Sequence, residues 1–214
     1  MNILIIDNFD SFTYNLYQII GELLLSRGIE HTSNLDVIRN NAKTVEEIIG
    51  KKYSHIIISP GPGTPEDPRY FGICEKVMLH CGKQVPTLGV CLGMQGICHS
   101  YGAKLRLSMP PFHGKTSTLS HNGAGIFKGL PQGIDIMRYH SIMVDPESLP
   151  DCLEVTALKG GDSKKLHEEL TSSSVVMGVK HKTYPTYGIQ FHPESFATEG
   201  GKKILENFLD MKPQ

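Results

Sequence analysis

The chain has 214 residues, room for one large domain with a sizeable buried core and too few for two ordinary ones, so 1–214 is read as a single domain. Its 21 basic and 22 acidic side chains leave a net charge of -1, which excludes the concentrated positive field that nucleic acid or an anionic membrane surface would require; the expected ligand is small, or another protein. No apolar run is long enough to span a bilayer, the opening MNILIIDNFD is acidic where a signal peptide is basic, and the five cysteines contain no CxxC pair, so a cytoplasmic chain with reduced thiols is expected.

Along the chain, the apolar run 2–6 predicts a strand, and Asp7, Asn8, Asp10 and Ser11 predict a turn into a helix over 12–27. Leu16, Ile19, Ile20, Leu23 and Leu24 share one face of that helix, and Gly28 ends it. The alternation repeats as a strand at 55–59 with a helix at 70–81, and as a strand at 87–90 with a helix at 92–101. These strands are continuously apolar, as burial on both faces of a parallel sheet requires. Beyond Gly102 shorter β-type pieces, 104–107, 116–120, 153–157, 175–180 and 187–191, predict an antiparallel extension, and an amphipathic helix over 201–211 closes the domain. The polar stretch 160–174 is read as a solvated loop, because Lys164/Glu168 and Lys165/Glu169 stand in the weaker order for helical pairs.

Cys91 lies at the end of a buried strand and the start of a helix within G-x-C-x-G, formed by Gly89 and Gly93. The spacing is that of a nucleophile elbow, in which small neighbours permit a strained turn that presents the nucleophile above the sheet. The following helix would aim its first N–H groups at the sulfur and favour the thiolate. The motif alone leaves open an ordinary buried cysteine at a strand end. A nucleophilic cysteine needs a base, and the base an orienting acceptor. In YGIQFHPES, His192 and Glu194 are two residues apart at the end of a β-type run, a spacing that on a strand puts both on one face. A surface His and Glu in a turn is the alternative, which the presence of Cys91 disfavours.

Acyl transfer also needs donors for an oxyanion. SPGPGTP follows a buried strand, and Gly61 and Gly63 would let backbone N–H groups approach a ligand; the amide of Leu92, next after the nucleophile, is the second expected donor. No Lys-Ser or Lys-Thr follows, so it is not a phosphate loop, and its glycines are too close for a dinucleotide fingerprint. Cys74, Cys81 and Cys98 fall in predicted helices as core residues. His140 and Ser141 are adjacent, which in extended chain turns them away from each other and argues against a Ser–His pair. His113 and Lys115 face a partner or cap a loop.

Together DNFDSFTYNL, SPGPGTP, GVCLGMQG, HGKTS, MRYHSIMV and MGVKHKTYPTYGIQFHPES resemble the class I (triad) glutamine amidotransferases over nearly the whole chain, specifically the small component of anthranilate synthase or aminodeoxychorismate synthase. The resemblance implies an α/β fold, an open, twisted, mainly parallel sheet with helices on both faces and an antiparallel extension. It implies Cys91 as nucleophile on the side-chain amide of L-glutamine, His192 as proton shuttle and Glu194 as its orienting acid. Gly61, Pro62 and Gly63 would line the oxyanion and substrate site, and Gln95 with the Ser141–Ile142 backbone would hold glutamine. The implied partner is a chorismate-binding synthase subunit; no cofactor or metal is implied in this chain, and magnesium is expected in the partner. Family members often carry His where this chain has Met94, for which altered packing and intact chemistry are expected. MPPFHGK is more proline-rich and 160–174 longer than the family pattern. The competing functions are a stand-alone γ-glutamyl thiol hydrolase and a catalytically silent binding module on the same fold.

Overall fold

The computed structural model describes residues 1–108, 114–160, 166 and 170–213. Five parallel neighbours form the first half of a nine-stranded sheet: β2 (Asn34–Arg39), β1 (Asn2–Asp7), β3 (His55–Ile58), β4 (Thr87–Val90) and β11 (Thr186–Ile189), in that spatial order. The sheet continues antiparallel through β10 (Val176–His181), β9 (Leu153–Lys159), β6 (Lys115–His121) and β7 (Ile134–Arg138). β5 (Leu105–Leu107) and β8 (Ile142–Val144) form a separate antiparallel pair.

The apolar strands stay dry because each serves two cores. Ile3 and Ile5 of β1 pack with Leu16, Ile20 and Leu23 of α1 (Thr13–Ser26) and with Ile204, Leu205 and Phe208 of α6 (Gly201–Leu209). Leu4 and Ile6, pointing the other way, pack with Ile48 of α2 (Val45–Gly50), Val77 and Met78 of α4 (Cys74–Cys81) and Ile97 of α5 (Leu92–Ser100). Helices therefore cover both faces, as expected, and no helix among the described residues is long and apolar enough to cross a membrane.

Several expectations are corrected. The run 187–191, expected in the antiparallel extension, belongs to β11, which pairs parallel to β4 on one side and antiparallel to β10 on the other, so it joins the two halves of the sheet. The helix expected at 70–81 is two pieces, α3 (Pro68–Phe71) and α4, parted by Gly72. Gly72 has φ +50°, and a Cβ there would come within 2.4 Å of the Asn40 carbonyl oxygen, so neither the conformation nor the space admits another residue without a shift. β2, α2, β7 and β8 have no counterpart in the expectation. β2 and β7 are the two edges of the sheet, where polar residues interrupt the apolar pattern. The reading of 160–174 falls largely outside the described residues, as does that of His113 and the prolines before it; Lys115 opens β6 and is exposed.

Candidate active site

The C-terminal ends of β1, β3, β4 and β11 converge, and each supplies part of one site. β4 ends at Val90 and α5 starts at Leu92, leaving Cys91 alone to turn the chain, with φ +52° and ψ -100°. That conformation costs a non-glycine residue about 1–3 kcal/mol and is retained where surrounding packing dictates it. Packing does so here: a Cβ on Gly89 would lie 2.4 Å from the Gly93 carbonyl carbon, and one on Gly93 would lie 2.5 Å from the Ile58 carbonyl oxygen. The flanking glycines thus let α5 settle onto β3 and β4, and the elbow follows. Cys91 is buried, its N–H donates to the Ile189 carbonyl at 2.8 Å, and the amides of Leu92, Gly93 and Met94 begin a helix in which they have no acceptor.

The loop after β3 lies against this elbow. A Cβ on Gly61 would come within 2.6–2.8 Å of Asn8 and of the Leu92 side chain, so the glycine chain passes directly over the first residue of α5. Asn8 pins the loop: its N–H donates to Ser59 Oγ and its Nδ2 to the Ser59 carbonyl, both at 2.9 Å, while Asn40 Nδ2 donates to Asn8 Oδ1 at 2.9 Å. Pro62 and Gly63 are exposed on the outer side of the loop. Gly61→Ala is expected to push the loop off Leu92 and lower kcat/KM for glutamine about 10²-fold, the usual cost of misplacing an oxyanion donor. A crystal structure of the variant with the loop unmoved and activity intact would remove Gly61 from this role.

His192 and Glu194 meet in a turn after β11, not on the strand face that their spacing suggested. The Nδ1–Oε1 distance is 2.6 Å and both side chains are almost fully enclosed, at 4% and 1% exposure. A carboxylate accepting at this distance fixes the proton on Nδ1 and leaves Nε2 as the basic nitrogen. Nε2 has no hydrogen-bond partner in this geometry, and Cys91 lies near enough to act on the ring electrostatically. Burial opposes charge on His192, but Cys91 and Glu194 together outweigh it and hold its pKa well above the usual histidine value. The turn is clamped from beneath: Thr198 Oγ1 donates to the His192 carbonyl at 2.6 Å and accepts the Met137 N–H at 3.0 Å, and the His192 N–H donates to the Met137 carbonyl at 3.1 Å. Phe12 and Tyr139 stand edge-on to the imidazole with centroids at 6.4 and 5.1 Å and shield it from water.

Of the other residues expected at the site, Gln95 is buried on α5 and its Nε2 donates to the Ile142 carbonyl at 2.9 Å. Ser141 is exposed, and its carbonyl accepts the Ser108 N–H at 2.7 Å. His140 is not a base for Ser141: burial, then the Arg138 charge, pushes its pKa down to about 4, and its Nδ1 faces the Ile142 carbonyl at 3.1 Å. Met94 is fully buried, and Gly188 opposite it is bare because a Cβ there would sit 2.8 Å from Met94 Cγ. Sequence reasoning misses the aromatic pair over His192, the Thr198 clamp and Gln190, whose Nε2 lies 3.5 Å from Cys91 Sγ. Gln190 precedes His192 by two, and the same alternation that relates His192 to Glu194 would have found it.

The family model for class-I glutamine amidotransferase matches residues 4–211. The chain belongs to the class I glutamine amidotransferases. It is 48% identical over 211 residues to anthranilate synthase component 2 of Leptospira biflexa, covering 98% of this chain and 100% of that protein. It is 41% identical over 207 residues to aminodeoxychorismate synthase component 2 of Escherichia coli K12, covering 97% and 98%. Among solved structures, a GMP synthase glutaminase-fold protein from Thermoplasma acidophilum superposes with TM-score 0.76 at 26% identity, covering 98% of this chain and 92% of that one. A glutamine amidotransferase from Thermotoga maritima shares the fold, with TM-score 0.70 at 14% identity over 98% and 96%. A class I amidotransferase thus presents a cysteine elbow, a glycine loop and a buried His–Glu pair at one end of its sheet.

Proposed function

We propose that this chain is the glutaminase subunit of a chorismate-using synthase, releasing ammonia from L-glutamine for a partner to transfer. The observation that carries this reading is full-length identity of 48% and 41% to component 2 of two such synthases, in a chain whose thiol elbow and His192–Glu194 pair are geometrically complete. In the reaction, His192 Nε2 takes the Cys91 proton as the sulfur attacks the side-chain carbonyl carbon of glutamine. The tetrahedral oxyanion is met by the Leu92 amide and the Gly61–Gly63 loop, with Pro62 keeping that loop rigid. The imidazolium, its charge favoured by Glu194, returns the proton to the nitrogen; ammonia leaves, and a γ-glutamyl thioester remains on Cys91. Water, activated by the same imidazole, hydrolyses it. Gln95 and the Ser141–Ile142 backbone hold the substrate. No step needs a metal or cofactor held by this chain, and magnesium belongs to the partner's chemistry.

A cleft of about 170 Å³ lined by Phe12, Asn15, Tyr139, His192, Glu194, Ser195 and Phe196 opens beside the imidazole, with Phe196 at 99% exposure on its rim. This favours ammonia leaving on that side into a covered interface with the partner. A larger cleft of about 630 Å³ near Ile48, Tyr53 and Cys81 lies at the opposite ends of the strands and shares no residue with the site.

The test mixes the purified chain with each chorismate-binding synthase subunit of the same genome, plus glutamine, chorismate and magnesium, and identifies the product. Anthranilate places the chain in tryptophan synthesis, aminodeoxychorismate in folate synthesis, and both mark a shared component. Glutaminase activity of the isolated chain is expected to be at least about 10-fold below that of the complex, because docking completes the site. Glutamine untouched in every mixture would leave the silent module as the better reading, and equal hydrolysis with and without a partner would favour the stand-alone hydrolase.

A further inference from the structure

Gln190 is fully buried, and both ends of its side chain are engaged at the site. Its Nε2 donates toward Cys91 Sγ at 3.5 Å, and its Oε1 accepts from Gln95 Nε2 at 3.3 Å. Gln95 Nε2 uses its other hydrogen on the Ile142 carbonyl at 2.9 Å. The backbone fixes this placement: Val90 and Ile189 are register partners of β4 and β11, so the residue after each, Cys91 and Gln190, leave the sheet side by side. The Gln190 N–H is bonded to the Met177 carbonyl at 2.9 Å, while Ile189 and Phe191 on either side point into the core under α6. Nothing in that packing calls for an amide at 190, and a buried amide persists only where its polar atoms are satisfied.

We propose that Gln190 is a further member of the catalytic machinery: it donates an N–H to the nucleophilic sulfur and, through Gln95, ties the position of that sulfur to the wall expected to hold the substrate. The proposal rests on Cys91 being the nucleophile. When His192 takes the thiol proton the sulfur becomes an anion, and a hydrogen bond to an anion is shorter and stronger than one to a neutral acceptor. Gln190 therefore favours the ionised sulfur from the side away from the imidazole and holds it in one direction. A substrate that draws on Gln95 also moves the acceptor end of Gln190, so occupancy of the substrate wall is felt at the nucleophile without any contact of Gln190 with substrate.

The experiment compares wild type, Gln190→Leu and Gln190→Glu in complex with the synthase partner. It measures kcat and KM for glutamine, and the pH profile of iodoacetamide alkylation at Cys91, located by peptide mass spectrometry. Gln190→Leu should lower kcat/KM about 10- to 100-fold, as losing a hydrogen bond to a charged group does, and move the alkylation midpoint to higher pH. Gln190→Glu, which keeps the size but turns the donor into an acceptor, should do both more strongly. A purely structural role would lower melting temperature and leave the alkylation profile of the folded fraction where it was. An unchanged profile and kcat/KM in folded Gln190→Leu would overturn the proposal; where that variant fails to fold, Gln190→Glu decides by the same two readouts. Failure of the underlying reading looks different, since glutamine hydrolysis would then survive Cys91→Ala.

Discussion

Glycine in place of Cys91 is expected to abolish glutamine hydrolysis, a fall of at least about 10⁴-fold, while making the protein more stable than the alanine variant. The loss of activity follows from removing the group that forms the thioester. The stability difference follows from the elbow. At φ +52° and ψ -100° a Cβ is strained, by roughly 1–3 kcal/mol, and both cysteine and alanine bear that cost while glycine does not. Against it stand about 0.5–1 kcal/mol for the extra freedom of glycine in the unfolded chain and about 0.8 kcal/mol for one buried methyl group. With ψ so far from the left-handed helical basin the strain belongs at the upper end of its range, and glycine leads by about 1 kcal/mol. In a chain of this size that is about 2–4 °C in melting temperature. Thermal unfolding of the two variants side by side decides it: alanine melting at or above glycine would mean that the elbow stores no strain. Residual hydrolysis above about one part in 10⁴ in either variant would take the nucleophile's role from Cys91.

The same local rule explains why this part of the site is legible in the sequence. Gly89 and Gly93 are bare because β4, α5 and β3 approach too closely for a Cβ, and steric need at fixed spacing leaves a sequence signature. The central strands are equally legible, since Ile3 to Ile6 alternate between two apolar cores and so read as an unbroken apolar run. The edge strands β2 and β7 are not, because one neighbour of each is solvent and residues such as Asn34, Asp36 and Asp135 break the run. β11 reads as a strand from its own residues, but its neighbours do not. Its parallel partner β4 lies about a hundred residues earlier, and no local feature of TYGI records that pairing. Gln190 is hidden by the same gap: its amide has meaning only once the register of β4 against β11 sets it beside Cys91. His192 and Glu194 are found by their spacing, although the turn through Pro193, and not a strand face, brings them together. That turn is backed by α6, where a Cβ on Gly201 would lie 2.0 Å from the Pro193 carbonyl oxygen.

Glu194→Gln is expected to lower kcat/KM about 10²- to 10⁴-fold with the fold retained, and to change how stability depends on pH. The catalytic loss comes from the tautomer. The carboxylate accepts from Nδ1 at 2.6 Å and so leaves Nε2 free to take the thiol proton. A glutamine amide can donate to Nδ1 instead, which places the proton on Nε2 and leaves the ring with no lone pair toward the sulfur. The stability effect comes from charge. Burial works against the imidazolium, yet Cys91 and Glu194 raise the His192 pKa above its unfolded value of about 6.5. A group raised on folding contributes stability that is fully present below its unfolded pKa and is lost as pH rises through its folded pKa. Without the Glu194 charge the penalty of burial is less well offset, and that contribution is reduced. The wild type should therefore exceed the variant by the most at and below about pH 6.5, by roughly 1–3 kcal/mol, and the gap should narrow steadily above that pH. Urea unfolding of both proteins from about pH 6 to 9 measures the gap directly. A gap that is constant across the range would show that Glu194 acts on His192 through shape alone; one that widens with pH would mean that the folded protein holds the imidazole neutral.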